Sequence, residues 1–244
     1  MIENYKRTKL DFKNGTVILA GAGPGSEDLI TLKVDYALRI ADVIIYDALV
    51  NSNLLKKCRK KAKLIYAGKL KNKQACSQND INEWMLFYAR KKKKVLRLKG
   101  GDVSFFSRGS QEISYLKKNK IDCKVLTGIT CSQVVMKILN ESFFNKSSVC
   151  SFITGHKKIN KHINYLDLNM ISKNEGRIII YMGVGQIGKI TSELIKSRSP
   201  IENVYIISNA SLPNQQIFHT TLKDCKKTVI KEKIKPPSIF VIGN

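Results

Sequence analysis

The chain has 244 residues, enough to bury a sizeable core in one large or two modest domains. Its 43 Lys and Arg against 19 Asp and Glu give a formal charge of +24, which attracts polyanions without specifying one. No apolar run reaches membrane or signal-peptide length, which argues against a spanning or secreted protein and leads us to expect a soluble, cytoplasmic one.

Six cysteines, Cys58, Cys76, Cys123, Cys131, Cys150 and Cys225, contain no C-x-x-C pair and no histidine at metal-ligand spacing. Neither a metal site nor a disulfide framework is expected from them. Residues 1–14 read as a polar extension. Beyond it, apolar β-rich runs alternate with amphipathic stretches. Strands are predicted at 16–20, 43–46, 63–67, 95–98 and 124–126, with helices at 29–39, 52–60, 78–91 and 109–118 between them. Such alternation implies βα units and a mostly parallel sheet. The second half is less regular, with strands at 149–153, 177–181, 203–207, 215–219 and 238–242 and helices at 186–197 and 222–231. Adjacent strands late in the chain suggest a mixed sheet. The expected organisation is two α/β domains, 15–127 and 128–244, with an active cleft between them. The basic runs 59–61 and 91–94 fall at helix ends, where they complement helix dipoles.

Three segments follow apolar runs, the position at which open α/β sheets gather ligands. They are Gly21-Ala22-Gly23-Pro24-Gly25, Tyr46-Asp47-Ala48-Leu49-Val50 and Leu98-Lys99-Gly100-Gly101-Asp102. The first is not a dinucleotide fingerprint, because its third glycine comes one place early and Pro24 removes an amide a pyrophosphate would use. Its alternative is a plain strand-to-helix turn. Asp47 would project from a strand's carboxyl end as an ionisable group, or cap the following helix. Lys69, after another strand and Gly68, is a candidate among many solvated lysines. Gly100 and Gly101 let main chain approach a ligand, and Asp102 can accept hydrogen bonds from a ribose or an amine. Met182 in Tyr181-Met182-Gly183 could pack against a purine or simply join the core.

In this order and at these separations, the segments resemble the uroporphyrinogen-III C-methyltransferase branch of the tetrapyrrole methylases. The resemblance continues through Gly68-Lys69, Gln78 with Ile81-Asn82, Arg108-Gly109, Gly128-Ile129-Thr130, Thr154-Gly155-His156, Tyr181-Met182-Gly183 and Asn209. It implies S-adenosylmethionine as cofactor and double methylation of uroporphyrinogen III at C2 and C7 to precorrin-2, toward sirohaem or a corrinoid. It also implies a homodimer and disfavours a nucleic-acid partner, while the strand-length apolar runs argue against a membrane one. Carried over by position, it puts Pro24, Gly100, Gly101, Asp102, Phe105, Thr130, Cys131, Met182 and Ala210 at the cofactor, and gives Asp47 and Lys69 the proton traffic. Arg97 and Arg108 are candidates for the substrate's carboxylates.

The chain departs from the family pattern in places. Where relatives run Pro-Phe-x-Phe-Gly-Arg-Gly-Gly-Glu-Glu, it has Val103 through Glu112 with one proline and two glycines lost. A stretch carrying a histidine and an arginine is replaced by 140–146, where Lys146 could keep a positive charge. Asn72 and Gln216 stand where a glycine and an arginine are common. Rival readings are a methyltransferase of the same fold acting on RNA, which the net charge favours, and a degenerate cofactor-binding protein without turnover.

Overall fold

The computed structural model describes residues 10–68, 76–144, 147–155 and 165–243, and divides the chain into two compact units, Met1–Thr130 and Cys131–Asn244. In the first unit β1 (Val17–Gly21), β2 (Val43–Tyr46), β3 (Lys63–Tyr66), β4 (Val95–Lys99) and β5 (Cys123–Leu126) form one parallel sheet in the order β3-β2-β4-β1-β5. The central strands β1 and β4 are buried along their whole length, as a sheet covered on both faces requires. The edge strands β3 and β5 are partly exposed and carry Lys63 and Lys124, charges that discourage further strand pairing.

Helices α1 (Leu32–Ile40), α2 (Ser52–Leu55), α3 (Gln78–Arg90) and α4 (Gly109–Lys118) make the crossovers. Val34, Ala37 and Leu38 of α1 pack with Ile18, Ile44 and Leu96 on one face of the sheet. Ile81, Met85 and Ala89 of α3 pack with Val17, Leu19, Ile45 and Val95 on the other. Helix α3 starts at a capping box, Ser77 with Asp80, which satisfies two amides reciprocally. Helix α2 is one turn long, not the three predicted. Asn51 caps it. Phe12 is buried in the core, so the inner part of the polar extension packs down, while residues 1–9 lie outside the described part.

Parallel strands place the returning ends of the helices at the sheet's amino edge. There the segments 56–63, 90–94 and 117–124 hold fifteen Lys and Arg against one Asp. Helices α3 and α4 exit through Lys92 and Lys120 in the left-handed conformation that glycine usually occupies, and the cations there complement the helix dipoles.

The second unit has a mixed sheet of β6 (Cys150–Thr154), β7 (Arg177–Tyr181), β8 (Asn203–Ser208), β9 (Gln216–Thr221) and β10 (Ser238–Ile242) in the order β6-β7-β10-β8-β9. Only β6 and β7 pair in parallel; the other pairs are antiparallel. Helices α7 (Ile187–Leu194) and α8 (Cys225–Lys231) cover one face through Ile190, Leu194 and Val229. Two helices were not anticipated from sequence. The first, α5 (Cys131–Leu139), covers the other face through Val135 and Met136. Its short apolar run, rich in β-branched residues, carries no period that separates helix from strand. The second, α6 (Tyr165–Ser172), buries Leu168.

Candidate active site

All five strands of the first unit end on one edge, and the loops after β1, β2, β4 and β5 meet there. The join between the β1 and β4 loops is main chain on main chain. Gly101 N–H donates to Gly23 O at 2.8 Å, Gly23 N–H to Gly101 O at 3.2 Å, and Ala22 N–H to Lys99 O at 2.7 Å. The β5 loop closes on the same point. A Cβ on Gly128 would lie 2.3 Å from Gly101 O and 2.6 Å from the Gly21 Cα, so three loops touch only because glycine stands at each contact. Gly101 itself has φ +71, and a Cβ there would meet nothing within 4 Å; the chain leaves open space on that side.

Asp102 ties this cradle together. One carboxylate oxygen accepts from Gly128 N–H at 2.7 Å, the other from Ser104 N–H at 2.8 Å and from the Ser104 hydroxyl. Burial by itself would raise this carboxyl, but the bonds from Ser104, Gly128 and Val103 outweigh it and hold it below the ordinary aspartate value. Both oxygens are therefore engaged within the chain. These bonds make Asp102 a brace that shapes the loop, and the oxygen bonded to Gly128 keeps a lone pair with which it can accept from a ribose or an amine.

Asp47 accepts from Leu49 N–H at 3.1 Å and, across to β4, from Gly100 N–H at 3.3 Å. It does not cap α2. That task falls to Asn51, which accepts from Asn53 N–H at 2.9 Å and donates to Gly25 O at 2.8 Å, linking the β2 and β1 loops. Leu49 lies over Gly100, where a Cβ would come within 2.5 Å of the leucine Cβ. After β4, the Ser107 hydroxyl donates to Val103 O and accepts from Gly109 N–H, holding the turn into α4. Phe105 and Phe106 pack edge to face there, at 5.1 Å.

In the second unit, Met182 follows β7 at φ +52 with its side chain exposed, and Asn209 follows β8 at φ +51. Non-glycine residues held left-handed concentrate where function over-determines the backbone. Gly155 N–H donates to Tyr181 O at 2.8 Å, and Ser132 N–H to the Tyr181 hydroxyl at 2.9 Å. Ala210, Cys131 and Tyr181 share one apolar cluster. Burial pushes the Cys131 thiol up to about 12, so it is no nucleophile. The buried Ser132 hydroxyl has no hydrogen-bond partner within the described chain.

The profile of the tetrapyrrole (corrin/porphyrin) methylases matches residues 16–226. The chain belongs to this family. It is 38% identical to the uroporphyrinogen-III C-methyltransferase of Methanocaldococcus jannaschii, over 94% of this chain and 96% of that one. It is 34% identical to the siroheme synthase of Nitrosomonas europaea, but spans only 49% of its length. Among solved structures it resembles the uroporphyrin-III C-methyltransferase of Thermus thermophilus complexed with S-adenosyl homocysteine, at 26% identity, TM-score 0.79, and 93% and 92% coverage of the two chains.

Within this tetrapyrrole methylase, Pro24, Asp47, Gly100, Gly101, Asp102, Phe105, Arg108 and Thr130 belong to the first unit, on the loops after its strands, and Cys131, Met182 and Ala210 to the second. Arg108 is exposed at the start of α4. Arg97 is not free to hold a substrate carboxylate. It is buried, and its guanidinium donates to Glu112 Oε1, Ile45 O and Leu98 O. Lys69, Asn72 and Lys146 lie outside the described residues. Gln216 is exposed on the edge strand β9. The replaced stretch at 140–146 is anchored in part by Arg177, which donates to Ser142 O and pairs with Glu141 at 3.2 Å. What sequence reasoning passed over is Lys99 and Glu112, which meet in the interior. Two cations inside the apolar run Val95–Lys99 were the available signal, since a buried charge needs a partner.

Proposed function

We propose that this chain is a uroporphyrinogen-III C-methyltransferase, moving methyl groups from S-adenosylmethionine to C2 and C7 of uroporphyrinogen III to give precorrin-2. The observation that carries the reading is 38% identity to the Methanocaldococcus jannaschii enzyme across nearly the whole of both chains. The chain's own residues fit the cofactor: open space beside Gly101 and a loop braced by Asp102. By their positions in the family pattern, Pro24, Gly100, Gly101, Asp102, Phe105, Thr130, Cys131, Met182 and Ala210 would hold it. When bound, S-adenosylmethionine supplies an electrophilic methyl carbon.

The tasks left to the chain are to align a pyrrole carbon with that methyl and to take up one proton per methylation. Asp47 is the candidate proton acceptor, at a strand end and clamped by two amides. Lys69 is the candidate donor. Arg108 would bind an acetate or propionate in bidentate fashion. We further read the protein as cytoplasmic and homodimeric; no helix among the described residues is long and apolar enough to cross a membrane. Sedimentation at micromolar concentration should give twice the 27.6 kDa chain mass, and a monomer would remove the dimer.

The deciding experiment is anaerobic incubation with uroporphyrinogen III and S-adenosylmethionine, followed by mass measurement of the tetrapyrrole. Gain of one and then two methyl groups is expected. Binding of S-adenosylhomocysteine without any gain would leave only a cofactor-binding protein.

A further inference from the structure

The Glu112 carboxylate is fully buried at the start of α4 and is shared by three donors. Lys99 Nζ reaches its two oxygens at 3.1 and 3.2 Å, Arg97 Nε reaches Oε1 at 3.4 Å, and Gln78 Nε2, at the start of α3, reaches Oε1 at 3.1 Å. Two buried cations thus face one buried anion. A surplus buried charge is costly unless another charge answers it. A second, half-exposed carboxylate lies beside the cluster: Asp47 accepts from the amide of Gly100, the residue next to Lys99, and its charge favours the Lys99 ammonium. Four charges on three segments, β4, α4 and the β2 loop, then balance.

We propose that Lys99 and Glu112 are positioning residues: Glu112 holds the Lys99 ammonium in place behind Gly100, and that cation keeps the Asp47 carboxylate clamped on the Gly100 amide. The network reaches every segment the site needs from this unit's β4 side. Gln78 opens the helix after the loop that bears Lys69, Glu112 lies four residues beyond Arg108, and Lys99 adjoins the Gly100–Asp102 loop. The inference rests on the function proposed above only for its catalytic consequence; the clamp itself is a property of the unliganded chain.

The device has a weak point at alkaline pH. Burial, then the Arg97 charge, lower the Lys99 ammonium below the ordinary lysine value, while Glu112 and Asp47 pull it back up. Among the described residues, the thiols of Cys76, beside Arg97 just before α3, and Cys123, beside Glu112 on β5, also face the cluster. Loss of the Lys99 proton would remove the charge that balances Asp47 and loosen the Gly100 loop.

The test follows the Gly100 and Leu49 amide signals of the isotope-labelled full chain from pH 6 to 11, without ligand. Wild type should show one alkaline titration at both amides. Glu112→Gln, which keeps the shape and deletes the counter-charge, should lower its midpoint by about one pH unit or more. Lys99→Arg, which stays charged, should abolish it and serves alone where the Glu112 variant does not fold. S-adenosylhomocysteine affinity and the methylation rate should fall about tenfold across the same midpoint. A flat wild-type profile at Gly100, or a midpoint unmoved by Glu112→Gln, overturns the inference even if methylation is normal. The titration without methylation of uroporphyrinogen overturns the functional reading and leaves the clamp standing.

Discussion

Asp47 accepts from one amide in its own loop and one across the sheet, so its carboxylate serves as a clamp as well as the candidate proton acceptor. Asp47→Asn keeps a carbonyl at Oδ1, which both amides reach, and loses only the second oxygen's contact with Gly100, so a stability loss of at most about 1 kcal/mol is expected in urea denaturation. Methylation should fall roughly 100- to 10,000-fold if the group moves the proton, while S-adenosylhomocysteine still binds. Near-normal turnover would take Asp47 off the catalytic list. Asp102 behaves differently, because its carboxyl is held below its ordinary value in the folded chain. A depressed native value stabilises fully above the unfolded value of about 3.9, and that stability is lost as pH falls through the native one. Thermal melts from about pH 5 down to pH 2 should therefore separate wild type from Asp102→Asn at the upper end and bring them together at the lower. Parallel curves would show that the carboxylate's charge contributes nothing.

At the scale of elements, the cradle depends on glycines for two separate reasons. Gly101→Ala meets no atom but forces a left-handed alanine, a cost of about 1–2 kcal/mol with the fold intact. Gly128→Ala drives a Cβ into Gly101 O and the Gly21 backbone, so the loops must separate; it should cost more in stability and abolish S-adenosylhomocysteine binding by calorimetry. Equal effects would mean that the three loops are not packed as described. The glycines, the order of the βα units and the mixed second sheet were readable in the sequence, because turn chemistry and apolar runs are local signals. Helix α5 and the buried pair Lys99–Glu112 were not, because each is decided by packing between segments distant in sequence. Arg97 was placed in the right region and given the wrong task, since it is buried and bonded within the chain. Sequence marks a polar side chain as important without saying whether its partner is a ligand or the chain's own amides.

For the molecule as a whole, the basic charge is unevenly distributed. Fifteen Lys and Arg lie in the segments at the amino edge of the first sheet, whereas the carboxyl-edge loops 22–31 and 47–51 hold Glu27, Asp28 and Asp47 and no cation. An octacarboxylate substrate bound at the loops accounts for none of the amino-edge charge. Retention on heparin or RNA should weaken steeply with salt. Replacing Lys91, Lys92 and Lys93 by Gln should elute the protein at lower salt with methylation unchanged, and an unchanged elution would place the polyanion contact elsewhere. The carboxyl-edge loops as a set are near neutral, with Lys69, Lys71, Lys73 and Arg108 against Glu27, Asp28, Asp47 and Asp102, so the excess of cations at the other edge gives the first unit a direction. Brought near any extended anionic surface, it experiences a torque that turns the lysine edge inward and points the mouths of the glycine loops toward solution, where small reactants arrive.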